Sequence, residues 1–141
     1  MLLQPKETKF TKKRKGRIKS NYENKKNDLK FGTYGLYALE KGKITAAQIE
    51  AVRRTITNYT KRQVKIWIRI FPDIPVTSKP IEIRMGRGKG KLSYWACKIN
   101  KGKILFEVSG KNPKLIKLAL NSVKGKLPIK VKLITKNEFI E

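Results

Sequence analysis

The sequence predicts an α+β fold in which two helices lie on one side of a mostly antiparallel sheet, after a basic N-terminal arm. In two segments, apolar residues recur every three or four positions, the spacing of one helix face. In several others they alternate with polar residues, which is typical of a strand with one buried face. Packing both helices on one side of the sheet buries all of these apolar faces economically. The predicted order is β, α, β, β, β, β, α, β.

The predicted arm covers residues 1–30. Residues 4–30 contain 11 Lys or Arg and three acids, with few apolar residues. Such a segment is either a solvated tail that is disordered in the isolated protein, or an arm that orders on RNA. In the second interpretation the phosphates are bound by Lys12, Lys13, Arg14, Lys15 and Arg17. The rest of the chain, residues 31–141, is predicted to form one α/β domain.

The first strand is predicted over residues 31–39, which are rich in aromatic residues and glycine. The glycines suggest positions where backbone or another chain approaches closely. Residues 40–43 are predicted to form a turn. Tyr34 and Tyr37, beside the glycines, are the best candidates in the chain for stacking on RNA bases.

The first helix is predicted over residues 46–62, because Thr45 and Gln48 have the spacing of a capping box and an apolar stripe follows. Glu50 is the only acid within this helix. A charged outer face is normally only solvated, but the scarcity of acids favours phosphate contacts. The cations concerned lie largely off the stripe, and those assigned to RNA are Arg53, Arg54 and Arg62.

Residues 64–71 alternate strictly and are predicted to form a central strand that ends at the prolines 72 and 75. A short strand is expected at residues 81–83. Two further strands, residues 92–99 and 103–108, are predicted to form a hairpin through residues 100–102. Pro113 is expected to open the second helix, and residues 129–135 to form a final edge strand with protective lysines.

The loop between the strands predicted at residues 81–83 and 92–99 has three glycines and four cations. No acid occurs from residue 83 to residue 106. Its spacing matches neither a Walker loop nor a dinucleotide fingerprint. Glycine would let the backbone approach phosphates closely, and the cations would bind them; the alternative is a mobile surface hairpin whose charges only aid solubility. The loop consists of Arg84, Met85, Gly86, Arg87, Gly88, Lys89, Gly90 and Lys91.

Composition argues against catalysis and for a polyanionic partner. The chain carries 35 Lys and Arg against 10 Asp and Glu, a formal charge of +25, with no His and one Cys. Histidine, the commonest general base and zinc ligand, is therefore missing. With a single cysteine, no disulfide can form within the chain. We expect no catalytic residues, metal, cofactor or small-molecule substrate. We expect Cys97 to be a small buried residue, and Trp67 and Trp95 to be core residues more often than stacking ones.

Residues 61–72 and 84–90 closely resemble the two signature stretches of the large-subunit ribosomal protein L-sixteen family, bacterial and organellar type, and the likeness covers almost the whole chain. The resemblance implies a β-hammerhead-like fold embedded in large-subunit rRNA, with neighbouring ribosomal proteins and tRNA as further partners. It also implies that the glycine-rich loop reaches toward the aminoacyl-tRNA site beside the peptidyl-transferase centre. Arg84 matches an arginine that is hydroxylated in some bacterial members.

Two other functions stay open at this point: a ribosome-independent single-stranded RNA-binding protein and a cationic membrane-surface protein. No apolar run approaches the ~20 residues of a membrane span, so a membrane partner is not expected. The excess of Lys over Arg and the abundant Ile and Asn suggest an A+T-rich genome. With no leader evident, this composition suits an organelle-encoded protein or an A+T-rich bacterium. The arm and residues 94–98 resemble mitochondrial more than plastid relatives, so a mitochondrial ribosome is favoured, with the plastid stroma and the bacterial cytoplasm as alternatives.

Overall fold

The computed structural model describes residues 3–18 and 28–136 and confirms the α+β class. The strands are β1 (Tyr34–Ala38), β2 (Gly42–Thr45), β3 (Val64–Ile68), β4 (Ile74–Ser78), β5 (Lys91–Ile99), β6 (Ile104–Gly110) and β7 (Val131–Thr135). The helices are α1 (Ala46–Tyr59) and α2 (Pro113–Val123), and a short 3-10 turn, Lys124–Lys126, follows α2. The strands form two antiparallel sheets, one of order β3-β6-β1-β7 and one of order β2-β5-β4.

One main hydrophobic core draws on both sheets and both helices. Leu36 and Phe106 contribute from the larger sheet and Ile99 from the smaller one. Helix α1 contributes Ile49 and helix α2 contributes Leu120, and all five side chains are fully buried. Because a buried aliphatic or aromatic side chain contributes about 1.5–3 kcal/mol, this shared core holds the two sheets together.

Helix α1 begins with the predicted capping box. The Thr45 hydroxyl accepts a hydrogen bond from the Gln48 N–H at 3.2 Å, and the Gln48 side chain accepts one from the Thr45 N–H at 2.9 Å. The helix ends at Tyr59, three residues earlier than predicted, because Lys61 and Arg62 have left-handed φ angles of 48° and 62°. Helix α2 opens at Pro113 as predicted.

Two local predictions are wrong. Residues 42 and 43 of the turn predicted over residues 40–43 begin strand β2, Gly42–Thr45, which pairs with β5. Residues 81–83 form a turn instead of a strand, with Ile81 fully exposed, whereas strand β4 lies earlier and includes Pro75. Proline is acceptable there because β4 is an edge strand and needs no donor on its outer side.

The pairing of the strands also differs from the prediction. Strand β3 lies at an edge of the larger sheet and not at its centre. Strands β5 and β6 belong to different sheets, so the predicted hairpin is wrong and residues 100–102 carry the chain from one sheet to the other. Gly102 makes this possible with a φ of 86° and an N–H that donates to the Ala38 carbonyl at 2.7 Å. Strand β7 is the predicted edge strand.

The segment that precedes β1 crosses the face of the larger sheet opposite the main core. There Leu29 is buried with Ile104 and Ile134 in a second, small cluster against which Tyr37 packs. Gly32 lies so close to β6 that a Cβ atom would come within 2.7 Å of the Val108 nitrogen. This close approach ties the segment to an inner strand of the sheet. Within the part of the chain that the structure describes, no helix is long and apolar enough to cross a membrane.

Candidate nucleic-acid interface

A basic groove lies at the C-terminal end of α1. It has a volume of about 850 Å³, and Thr57, Asn58 and Val64 contribute to its walls. Its cations come from the outer face of the helix and from the turn that follows it. The groove brings together three residues predicted to bind phosphate, with one more cation, and its charged side chains are Arg53, Arg54, Lys61 and Arg62.

Glu50 orients the two helix arginines. Its carboxylate accepts hydrogen bonds from Arg53 at 2.6 and 2.9 Å and from Arg54 at 3.1 Å. The Arg53 hydrogen bonds outweigh burial and, with the weaker contribution of Arg54, lower the pKa of Glu50 to about 2. One carboxylate therefore fixes two guanidinium groups but neutralises only one of them. The exposed Arg54 keeps its remaining donors toward solvent, where a phosphate can accept them.

The turn after α1 holds the other two cations in a sparsely populated backbone conformation. The Lys61 N–H donates to the Asn58 carbonyl at 3.1 Å, and the Arg62 N–H donates to the Thr57 carbonyl at 3.0 Å. The buried Thr60 hydroxyl donates to the Ile56 carbonyl at 2.7 Å. A left-handed residue other than glycine costs of order 1–3 kcal/mol, and such residues cluster at functional sites. Their presence here supports a binding role for this turn.

The glycine-rich loop forms the tip of the hairpin between β4 and β5. Every residue from 81 to 89 is exposed. Gly86, Arg87 and Gly88 have consecutive positive φ angles of 107°, 50° and 84°, and a Cβ on either glycine would lie in open space. The glycines are therefore needed for backbone conformation. The loop encloses a cleft of about 260 Å³ whose cations are Lys79, Arg87, Lys89 and Lys91.

The arm and this loop are in direct contact, which the sequence did not predict. The Lys12 ammonium donates to the Lys89 carbonyl at 3.0 Å, and the Lys89 ammonium donates in return to the Lys13 carbonyl. The Lys79 ammonium closes the loop on itself by donating to the Gly86 carbonyl. Backbone carbonyls thus hold several ammonium groups together without any carboxylate in these contacts. Arg14, Lys15 and Arg17 are exposed on the same arm.

The aromatic side chains differ in burial and in what they pack against. Tyr34 is half-buried and packs against the main core, and Tyr37 packs against the small cluster. Trp67 and Trp95 are also half-buried, but neither belongs to the two hydrophobic clusters. The ring of Trp67 stacks instead on Phe31, at 6.1 Å between centroids. Cys97 is buried, as predicted.

Glu107 is a buried residue whose structural role sequence reasoning missed. It is fully buried and accepts hydrogen bonds from the backbone N–H groups of Phe31 at 2.7 Å and Gly32 at 2.8 Å, and it pairs with Arg69. Burial raises the pKa of Glu107, but the backbone and Arg69 hydrogen bonds outweigh it and hold the pKa below its usual value. The sequence shows only a single acid in a strand, so no local signal marked it.

Among residues 3–18 and 28–136, no three His, Cys, Asp or Glu side chains are grouped so that they could hold a metal ion. The chain was also compared with models of known protein families. The model described as ribosomal protein L16p/L10e matches residues 5–134, nearly the whole chain. The match includes most of the arm, the groove and the glycine-rich loop.

Proposed function

Because the chain belongs to the ribosomal protein L16p/L10e family, it is a structural protein of the large ribosomal subunit, and we propose that it binds large-subunit rRNA and contacts tRNA. The observation that carries the proposal is the basic groove at the end of α1. It holds four cations, and the carboxylate of Glu50 orients two of them, Arg53 and Arg54. Such an excess of fixed positive charge repels itself, and a polyanion bound beside it would relieve that repulsion.

The proposed rRNA-binding surface consists of the groove and the arm. Arginine donors in a fixed fork suit phosphate oxygens, and Glu50 presets the forks of Arg53 and Arg54. Arg62 is held at the other wall by its backbone hydrogen bond. The exposed cations of the arm, from Lys12 to Arg17, extend this surface along the RNA. Phosphate contacts of this kind fix position more than they read sequence.

The proposed tRNA contact is the glycine-rich loop, residues 84–91, near the aminoacyl site and the peptidyl-transferase centre. Its exposure, its open backbone and its cations suit a ribose-phosphate chain. The contact between Lys12 and Lys89 joins the arm to the loop, so one segment of rRNA bound to the arm would also position the loop. Tyr34 and Tyr37 remain candidates for base stacking through their exposed parts.

In this proposal the protein folds and neutralises RNA, and the chemistry of peptide transfer belongs to the RNA. Neighbouring ribosomal proteins are further partners, and the proposal includes no membrane, cofactor or small-molecule substrate. We propose a mitochondrial ribosome as its location, because the excess of Lys over Arg and the abundant Ile and Asn indicate an A+T-rich genome, and the arm and residues 94–98 resemble mitochondrial more than plastid relatives. A ribosome in plastids or bacteria is the alternative.

The groove is tested by salt-dependent binding to a large-subunit rRNA fragment. A variant with Arg53→Gln, Arg54→Gln and Arg62→Gln loses three groove charges. Because each phosphate contact contributes ~0.7–0.9 to the slope of log K against log salt, we expect the slope to fall by about 2–3. The matched control carries Lys111→Gln, Lys114→Gln and Lys117→Gln, which remove three exposed cations at and near α2. Both variants therefore lose the same total charge. Equal losses of slope in the two variants would contradict a binding role for the groove.

A further inference from the structure

A partly exposed aromatic pair lies on the outer face of the larger sheet. Phe31 and Trp67 stack with an interplanar angle of 20°, and Phe31 is still 56% exposed. Trp67 lies on edge strand β3, whose other face, with Ile66 and Ile68, packs against the main core. A large aromatic residue that serves only packing is normally buried, whereas this pair presents ring surface to solvent. We call Phe31 and Trp67 the aromatic platform.

The platform is held rigidly from below. Glu107 pairs with Trp67 across the β3–β6 ladder and accepts the Phe31 N–H at 2.7 Å, which fixes the backbone of Phe31 over the strand. Arg69 is bound to the same carboxylate, and its guanidinium lies 5.4 Å from the centre of the Phe31 ring. The stack is therefore formed before any ligand arrives, so binding loses little side-chain entropy.

The charges around the platform are positive. The Lys65 ammonium lies 5.4 Å from the centre of the Trp67 ring, on the same face of β3, and Lys65 is exposed. The carboxylate beneath the platform is fully buried and paired with Arg69, so it does not offset Lys65 at the surface. Aromatic rings with neighbouring cations are the features with which proteins bind unpaired nucleotides, since every base has a π-face and every nucleotide carries a phosphate.

We propose that the aromatic platform binds one unpaired nucleobase of RNA, which stacks against the exposed part of the Phe31–Trp67 pair while Lys65 binds the adjacent phosphate. This site rests on the proposed RNA-binding function and adds a second mode to it. The groove at α1 binds phosphates of any sequence or structure, whereas the platform requires a base that is free of pairing. The bound RNA is therefore expected to have an unpaired nucleotide at this surface.

The test uses the full chain with Trp95→Phe as the parent, which leaves Trp67 as the only tryptophan. Its fluorescence is titrated with a short oligouridylate and with an abasic oligomer of the same length. We expect the base-bearing oligomer to quench Trp67 and to bind about tenfold more tightly than the abasic one, from the usual contribution of one stacked base. Phe31→Leu keeps the backbone donor to Glu107 but removes the ring, and should abolish this tenfold difference.

The matched control is Phe71→Leu, which removes an exposed aromatic ring that lies outside the platform and should leave the affinity within about twofold. Equal affinities for the two oligomers, or an unchanged preference in Phe31→Leu, would overturn the platform. Binding of the Trp95→Phe parent to the large-subunit rRNA fragment is measured alongside the oligomer titrations. Retained rRNA binding without base preference would overturn the platform alone, whereas failure of the parent to bind either RNA would overturn the proposed function as well.

Discussion

Replacing Glu107 by Gln tests how the segment before β1 is fixed to the sheet. The carboxylate accepts two backbone N–H groups and one guanidinium, so all of its partners are donors. A glutamine has nearly the same shape but only one acceptor oxygen. Its amide N–H₂ group would face donors where the carboxylate had accepted hydrogen bonds. The substitution therefore removes the charge and weakens hydrogen bonds at a position that is fully buried.

The expected loss follows from these contacts. A hydrogen bond to a charged group contributes about 1.5–3 kcal/mol, and breaking a buried ion pair by removing one partner costs about 3–5 kcal/mol. Because Gln retains one acceptor, we expect the free energy of unfolding to fall by about 3 kcal/mol. Such a loss is a large part of the ~5–15 kcal/mol that stabilises a typical domain.

The same contacts predict how the effect depends on pH. Because the pKa of Glu107 is lower in the folded protein than in the unfolded chain, its stabilisation is fully present above the unfolded value, which is about 4.3. It is lost as the pH falls through the lower pKa of the folded state. The difference between the wild type and Glu107→Gln should therefore be constant from about pH 8 to pH 5 and decrease in more acidic buffer. Glu50, whose pKa is about 2, is present in both proteins and cancels.

The assay is urea unfolding followed by circular dichroism, at about 0.5 M salt to screen the repulsion between the many cations. Glu40→Gln is the control, since it removes an exposed carboxylate that pairs with Lys130 at 3.2 Å and should cost less than about 1 kcal/mol. If Glu107→Gln cost no more than Glu40→Gln, or if its cost stayed the same down to about pH 3, the charge of Glu107 would not be what fixes this segment to the sheet.

Two further predictions concern the loop and a close backbone contact. Arg84→Ala should weaken tRNA binding to purified ribosomes several-fold while the sedimentation of the large subunit stays unchanged, because the exposed loop does not contribute to the core; an equal loss in both measurements would contradict a specific tRNA contact. Gly32→Ala should lower the free energy of unfolding by about 2–3 kcal/mol, because its Cβ would meet the Val108 backbone of an inner strand. Gly125→Ala, with open space around its Cβ, should change it by less than about 1 kcal/mol, and equal effects in thermal denaturation would refute this reasoning.

Features that depend on neighbouring residues were predictable from the sequence. The capping box at Thr45, the proline at the start of α2 and most alternating strands are encoded within a few positions, and the structure confirms them. The end of α1 was placed three residues late because apolar spacing does not show that Lys61 and Arg62 turn left-handed. The strand at residues 74–78 was missed because Pro75 argues against a strand unless the edge position is known.

Features that depend on distant residues were not predictable. Periodicity shows that β5 and β6 are strands but does not show which sheet each joins, because pairing depends on partners far away along the chain. The contact between Lys12 and Lys89 joins residues 77 positions apart. Glu107 likewise accepts hydrogen bonds from residues 75 and 76 positions away. For the candidate interface, the sequence therefore indicated which cations are available but not which of them share a surface.

The few acids in this chain explain how so much positive charge can be ordered in one fold. Glu50 fixes two arginines, and Glu107 fixes Arg69 together with the backbone under the aromatic platform. Glu50 orients two guanidinium groups but neutralises only one of them, so a positive charge remains in the groove. Glu107 neutralises Arg69 and also fixes two uncharged backbone N–H groups. Where no carboxylate takes part, as between Lys12 and Lys89, backbone carbonyls orient the ammonium groups and remove no charge at all. Such surfaces are complementary to phosphates before binding, which favours affinity because little ordering is left to be done when the RNA arrives.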